Sequence, residues 1–219
     1  LVGSEMCIRD RNEAWQMANL FPGQISTLIV PADCAWGEYK GKIPAPFKAR
    51  SPLKIDDSLV PKSIEILKRE NSILFIGGKF LDEKCIKLAG QISSTTGCRI
   101  VTDTFVSRIR RGAGLPKVEQ VPYFSEMAEE FLKNTSGVVF LGTNAPVSFF
   151  AYPGKKSYLL SEETEILELC TPGQDGLSAL KALSDESDAS SINKELIQEK
   201  ITEYPTKGKL DSLSIGPLI

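Results

Sequence analysis

Three short polar loops, each following an apolar run, contain the residues best suited to hold a ligand. They are Gly77-Gly78-Lys79, Thr102-Asp103-Thr104 and Gly142-Thr143-Asn144. Glycine lets backbone N–H groups approach a phosphate closely, and hydroxyl and amide side chains add further hydrogen bonds. The pattern indicates a nucleotide lying across the loops. The alternative is that each glycine only makes a tight turn, since Gly-Gly is a weaker motif than G-x-G-x-x-G.

Arginines form the densest basic cluster of the sequence, at Arg108, Arg110 and Arg111. A guanidinium group binds phosphate or carboxylate through paired hydrogen bonds, although such a cluster can also be a solvated or interdomain charge patch. The predicted cofactor-binding residues are Gly77, Gly78, Thr102, Arg110, Gly142, Thr143 and Asn144. We predict no catalytic residue and no metal ligand in this chain.

The composition excludes several classes of site. The 219 residues include no histidine, which removes Ser-His-Asp and Cys-His triads and histidine-bearing zinc sites. A formal net charge of -2 gives no electrostatic footprint for nucleic acid or an anionic membrane. Four cysteines after residue 11, namely Cys34, Cys85, Cys98 and Cys170, follow no metal-binding or disulfide spacing, so we expect buried thiols in a reduced, cytoplasmic protein.

Apolar runs alternate with helical patterns through most of the chain. The predicted strands are residues 73–76, 99–102, 138–141, 156–160 and 166–169, and the predicted helices are 63–69, 81–93, 124–132 and 175–183. This alternation is typical of an α/β fold, a Rossmann-like parallel sheet flanked by helices, in which ligands lie at the carboxyl ends of the strands. All three polar loops follow a predicted strand, so we expect them to share one edge of the sheet.

The flanks of this region are less regular. Residues 12–19 favour a short helix, 25–30 a strand and 192–201 a polar helix, whereas 37–61 reads as a linker. Residues 147–153 are unusually aromatic for a loop, and they could either line a ligand site or form an interdomain contact. Residues 1–11, LVGSEMCIRDR, resemble a translated sequencing adapter, so we expect natural sequence to be missing upstream. The alternative is a genuine disordered N-terminus.

Several segments, in order along the chain, resemble thiamine-diphosphate-dependent enzymes of the acetolactate synthase and benzoylformate decarboxylase group. They are LIVPADCAW at 28–36, ILFIGG at 73–78, RGAGLP at 111–116, VPYF at 121–124, VVFLG at 138–142, Ala145-Pro146 and FFAYPG at 149–154. Their order is more specific than any one of them. The resemblance implies the end of a pyrimidine-binding domain at 12–35, a linker at 36–55, a central Rossmann-like domain at 56–184, and a linker leading into a diphosphate-binding domain at 185–219.

The resemblance also implies which cofactors belong to the longer parent enzyme. Thiamine diphosphate and Mg²⁺ would be bound there, but the catalytic glutamate would lie upstream of residue 12, and no Gly-Asp-Gly…Asn-Asn motif occurs in this chain. In relatives the central domain holds FAD, ADP or nothing, and the Arg-rich loop departs from the flavin pattern. We therefore expect an inactive fragment of a homodimeric or homotetrameric enzyme, with a nucleotide-binding module or a purely structural spacer as alternatives.

Overall fold

The computed structural model describes residues 4–20, 23–36, 38, 51–150 and 153–200. Of residues 4–8 only the helical backbone is described. Five strands form one parallel sheet: β1 Ile73–Ile76, β2 Arg99–Thr102, β3 Glu119–Gln120, β4 Gly137–Leu141 and β5 Glu165–Cys170. Their spatial order is β3-β2-β1-β4-β5. The central position of β1 explains its unbroken apolar sequence, because strands covered by helices on both faces bury every side chain.

In the described part of the chain, six helices accompany the sheet. They are α1 Ser4–Asn19, α2 Ala32–Trp36, α3 Leu59–Leu67, α4 Glu83–Thr96, α5 Ser125–Leu132 and α6 Gly176–Glu186, with two 3₁₀ turns at Gly78–Phe80 and Lys194–Leu196. Asp82 caps α4 by accepting a hydrogen bond from the Cys85 N–H, and Gly97 ends that helix in the left-handed conformation. Within the part of the chain that the structure describes, no helix is long and apolar enough to cross a membrane.

Two apolar cores lie on opposite faces of the sheet. Leu74 and Ile76 of β1 pack in the core formed with α3, α4 and α6. Ile73 and Phe75 point the other way and pack with Ala128 and Leu132 of α5. This division follows from the alternation of side chains along a strand. The expected α/β architecture, with helices covering both faces of a parallel sheet, is therefore confirmed.

The strands predicted at 73–76, 99–102, 138–141 and 166–169 are present, with ends shifted by at most one residue. The strand predicted at 156–160 is wrong. That segment forms only an isolated bridge between Tyr158 and Val147, and it supplies Leu159 to the core beside α5. Its first residues, Lys156 and Ser157, are exposed, and the strand beside β4 is β5.

Two further predictions outside the sheet are also wrong. Residues 25–30 form no strand, and Ile25 and Ile29 are almost fully exposed, because the residues described here offer them neither a partner strand nor a core. Of the helix predicted at 192–201, residues 192–200 contain only the 3₁₀ turn, and residue 201 lies outside the described residues. There the chain pairs with the loop before β3, where the Lys117 N–H donates to the Leu196 carbonyl at 2.9 Å. Most of the predicted linker at 37–61 also lies outside the described residues.

Candidate functional site at the carboxyl edge of the sheet

The strand order reverses between β1 and β4, which is where ligands bind in open parallel sheets. Two of the predicted loops meet there. A Cβ atom on Gly77 would lie 2.6 Å from Thr143 Cβ, and one on Gly78 would lie 2.9 Å from the Gly142 carbonyl oxygen. The structure therefore brings four predicted residues together, and it packs their loops directly against each other.

The ring of Phe80 fills the space beneath these loops. Phe80 is only 6% exposed, and a Cβ atom on Gly142 would overlap its ring. A Cβ atom on Gly176, at the start of α6, would lie 2.6 Å from Phe80 Cζ. Gly142 also has a φ of +72°, a conformation that favours glycine. These glycines thus make room for an aromatic side chain of the protein itself.

Asp103 connects the loop after β2 to the loop after β4. Its Oδ2 accepts a hydrogen bond from the Thr143 hydroxyl at 2.5 Å. Burial raises the pKa of the Asp103 carboxyl, and the Thr143 hydrogen bond opposes this only in part. Asp103 was absent from the predicted set. Its position directly after a strand was the available signal, since an acidic residue there binds the ribose in many dinucleotide folds.

Thr102 and Asn144 are the other two predicted residues of these strand-end loops. Thr102 is fully buried, and among the described residues its Oγ1 is the only buried side-chain oxygen or nitrogen without a hydrogen-bond partner. By strand alternation it faces the α4 side, because the preceding Val101 packs on the α5 side. Asn144 is exposed.

A basic cavity of about 410 Å³ lies on the α4 side of the same edge. It is lined by Gly78, Lys79, Leu81, Asp82, Ser107, Arg108 and Arg110. The Arg110 N–H donates to the Leu81 carbonyl at 2.9 Å, which ties the arginine loop to the start of α4. Three cationic side chains beside a helix N-terminus favour an anionic ligand. Arg111, the next residue along the chain, does not line this cavity.

Three of the cysteines are held as unreactive, protonated thiols. Cys85, Cys98 and Cys170 are buried, and burial raises the pKa of their thiols to about 12, about 11 and about 12. Protonated thiols are poor nucleophiles and metal ligands. Within the described ranges, no group of three or more cysteine, aspartate or glutamate side chains could hold a metal ion. These residues therefore do not fit a Mg²⁺-linked diphosphate.

Comparison with known proteins shows what this chain is similar to in sequence. No family model matches the sequence. The chain is 36% identical over 177 residues to the acetolactate synthase-like large subunit IlvX of Mycobacterium tuberculosis, a match that covers 80% of this chain and 33% of IlvX. The chain thus spans about a third of the length of that curated relative.

Solved structures share the fold at much lower identity. Benzoylformate decarboxylase from Polynucleobacter necessarius matches with a TM-score of 0.60 at 14% identity, over 98% of this chain and 43% of that one. The thiamine diphosphate-dependent 4-hydroxybenzoylformate decarboxylase of Rhodococcus jostii RHA1 matches with a TM-score of 0.53 at 12% identity, over 97% and 42%. The chain is therefore similar in sequence to an acetolactate synthase-like subunit and similar in fold to thiamine-diphosphate-dependent enzymes. The resemblance expected from the order of the sequence motifs is thus confirmed, and the assignment of residues 56–184 to a central domain stays a prediction.

Proposed function

We propose that this chain is the central domain, with partial flanks, of an acetolactate synthase-like enzyme that decarboxylates or ligates 2-oxo acids, and that it is inactive alone. The 36% identity to IlvX is the observation that carries the proposal. In the longer enzyme that contains this chain, thiamine diphosphate would stabilise the carbanion next to the substrate carbonyl. The residues described here would position the neighbouring domains, since none of them fits the cofactor or its Mg²⁺.

A turnover assay on the purified chain 1–219 tests this proposal. Thiamine diphosphate, Mg²⁺ and either pyruvate or benzoylformate are supplied, and release of CO₂ is measured. We expect no release above the protein-free rate from the chain, and clear release from the full-length enzyme that contains it. Turnover by the chain alone, or none by the full-length enzyme on any 2-oxo acid, would contradict the proposal.

A second candidate function is binding of an adenine nucleotide, ADP or FAD, and the basic cavity is the observation that favours it. Lys79, Arg108 and Arg110 would face the phosphates, and Gly78 would leave backbone room for them. Phe80 and the contact between the loops at Gly77 and Thr143 weigh against a nucleotide lying across the switch point. The cavity beside α4 is therefore the better position for the phosphates.

Calorimetric titration with ADP, FAD and NAD separates this candidate from a purely structural spacer. If the cavity binds phosphates, Arg110→Ala should weaken binding at least tenfold. Arg111→Ala is the matched control, because Arg111 does not line the cavity. We expect it to change affinity less than twofold. The absence of saturable binding by the unmodified chain would leave only the spacer role.

We further propose that the full-length enzyme is a cytoplasmic homodimer or homotetramer. The buried cysteines Cys85, Cys98 and Cys170 form no disulfide, which supports a reducing compartment. Sedimentation of the full-length enzyme checks the oligomeric state, and a mass of one subunit would contradict it.

A further inference from the structure

Five exposed aromatic side chains gather on the carboxyl edge of the sheet, and none of them lines the basic cavity. They come from three loops: Phe105 follows β2, Tyr123 and Phe124 follow β3, and Phe149 and Phe150 follow β4. Their exposed fractions run from 42% for Tyr123 to 67% for Phe105. We call these five residues the aromatic cluster.

The rings contact one another across the loops. The ring centroids of Phe105 and Phe149 are 5.0 Å apart, and those of Tyr123 and Phe124 are 5.2 Å apart. Tyr123 also lies 5.8 Å from both Phe105 and Phe150, with edge-to-face geometry. Tyr123 therefore holds the cluster together, and one continuous apolar surface results from three separate loops.

An ion pair joins two of the segments that carry the aromatic cluster. Lys155 Nζ and Glu126 Oε1 are 3.1 Å apart, and they join the loop after β4 to the first turn of α5. An aromatic centre with charged groups at its rim is the usual anatomy of a contact between folded surfaces. The cluster therefore has the composition of a protein interface.

The size of the surface indicates which kind of interface it forms. An aromatic side chain offers about 150–250 Å², so five that are roughly half exposed present on the order of 500 Å². A stable subunit interface needs about 800 Å² from each partner. Contacts between domains of one chain need only about 300–750 Å² on each side. The five side chains alone already reach the area of a domain contact, and IlvX extends over about three times the length matched here, so a relative of this length has further chain to supply a neighbouring domain.

We propose that the aromatic cluster docks against an apolar surface of a neighbouring domain within the same longer polypeptide. The inference rests on the proposed function, because that function supplies the neighbouring domain. Docking would orient the central domain through the edge of the sheet at which the three polar loops also lie. The cluster would then be buried in the full-length enzyme and exposed in the chain 1–219.

Cysteine labelling tests the proposal directly. Phe149→Cys and Phe105→Cys are each introduced into both the chain 1–219 and the full-length enzyme, with Cys7 and Cys34 replaced by serine. The other three cysteines of the chain 1–219 are buried, and labelling of each parent protein without the new cysteine is subtracted, so maleimide labelling followed by intact mass reports on the new thiol. Lys87→Cys, on the exposed side of α4, is the matched control. Circular dichroism confirms that each variant folds.

We expect labelling at positions 105 and 149 to be at least tenfold slower in the full-length enzyme than in the chain 1–219, and labelling at 87 to change less than threefold. Equal rates at 105 and 149 in the two proteins would overturn the proposal, and so would equal slowing at all three positions. Slowing in the chain 1–219 that grows with its concentration would show a second copy as the occupant and would also overturn it. CO₂ release is measured separately, so protection without activity would contradict the proposed function alone.

Discussion

The carboxyl edge of the sheet has a closed centre and open sides. At the centre, Gly77 and Gly142 bring two loops into contact above the buried ring of Phe80. To the sides, the basic cavity and the aromatic cluster present charged and apolar groups to solvent. The same strand-end loops therefore serve two purposes. Small residues at the centre allow close packing, and large or charged residues at the sides remain available for contact.

The difference shows that glycine after a strand does not by itself indicate a ligand. At the switch point of this sheet, a protein side chain occupies space that a dinucleotide fold leaves to its cofactor. The surfaces that could bind a ligand or a protein partner lie beside the switch point instead, on residues of the longer loops. We therefore ask whether the residues at the centre of this edge stabilise the fold, and whether those at its sides do not.

Removing the Phe80 ring should have the largest effect. Phe80→Ala should lower the free energy of unfolding by about 3–5 kcal/mol, because it leaves a cavity in a packed core. Phe105→Ala deletes the same group from the exposed aromatic cluster and should cost about 1 kcal/mol or less. Urea unfolding of both variants measures the contrast. Similar losses in the two variants would erase the distinction between centre and sides.

Adding one methyl group at the centre should have the next largest effect. Gly142→Ala should cost about 3 kcal/mol, since its Cβ would overlap the Phe80 ring and its φ is positive. In a Phe80→Ala background the same change should cost only about 1 kcal/mol, the cost of the backbone conformation.

Gly114→Ala is the matched control for the Gly142 prediction. Its φ is +83°, and a Cβ there would meet no atom within 4 Å. It should cost about 1 kcal/mol in either background. Chemical denaturation of the single and double variants measures these differences. A cost at Gly142 that stays the same without the Phe80 ring would show that the ring is not what excludes a side chain there.

Asp103→Asn should raise stability modestly at neutral pH. Burial raises the folded-state pKa of Asp103, so its favourable contribution is present below the unfolded value near 3.8 and is lost as pH rises through the folded-state pKa. The variant should therefore be more stable than the unmodified chain at pH 7, with the difference shrinking toward pH 3.5. Denaturant titrations at the two pH values measure this.

Asp175→Asn should show the opposite sign. Hydrogen bonds from Ser178 lower the pKa of the Asp175 carboxyl, which caps α6. Its stabilising contribution is present above the unfolded pKa and is lost as pH falls, so this variant should be less stable at pH 7. Shifts of the same sign at Asp103 and Asp175 would contradict the burial of Asp103.

Arg110→Ala should have the smallest effect on stability. The Arg110 side chain is exposed, and its backbone hydrogen bond to Leu81 does not depend on the side chain. The free energy of unfolding should change by no more than about 0.5 kcal/mol. Thermal unfolding without ligand measures this. A larger loss would mean that the basic cavity is part of the packed centre.

Alternating apolar runs were enough to predict the parallel sheet and four of its five strands. The short strand at Glu119–Gln120 was missed because both residues are polar and only half-buried. The candidate site was predicted less well. Gly77, Gly78, Gly142 and Thr143 do come together, and Arg110 shares a cavity with Gly78 on the α4 side, whereas Asn144 is exposed. Whether these residues bind a ligand stays a prediction.

The sequence by itself determined the class of fold, because the spacing of apolar residues depends only on local geometry. The order of its short motifs likewise pointed to the family. The tertiary structure alone decided that Phe80 fills the switch point, and that Phe105, Tyr123 and Phe149 form one surface. These residues lie far apart along the chain or belong to different loops. Their contacts depend on strand order, which the pattern within any one segment does not contain.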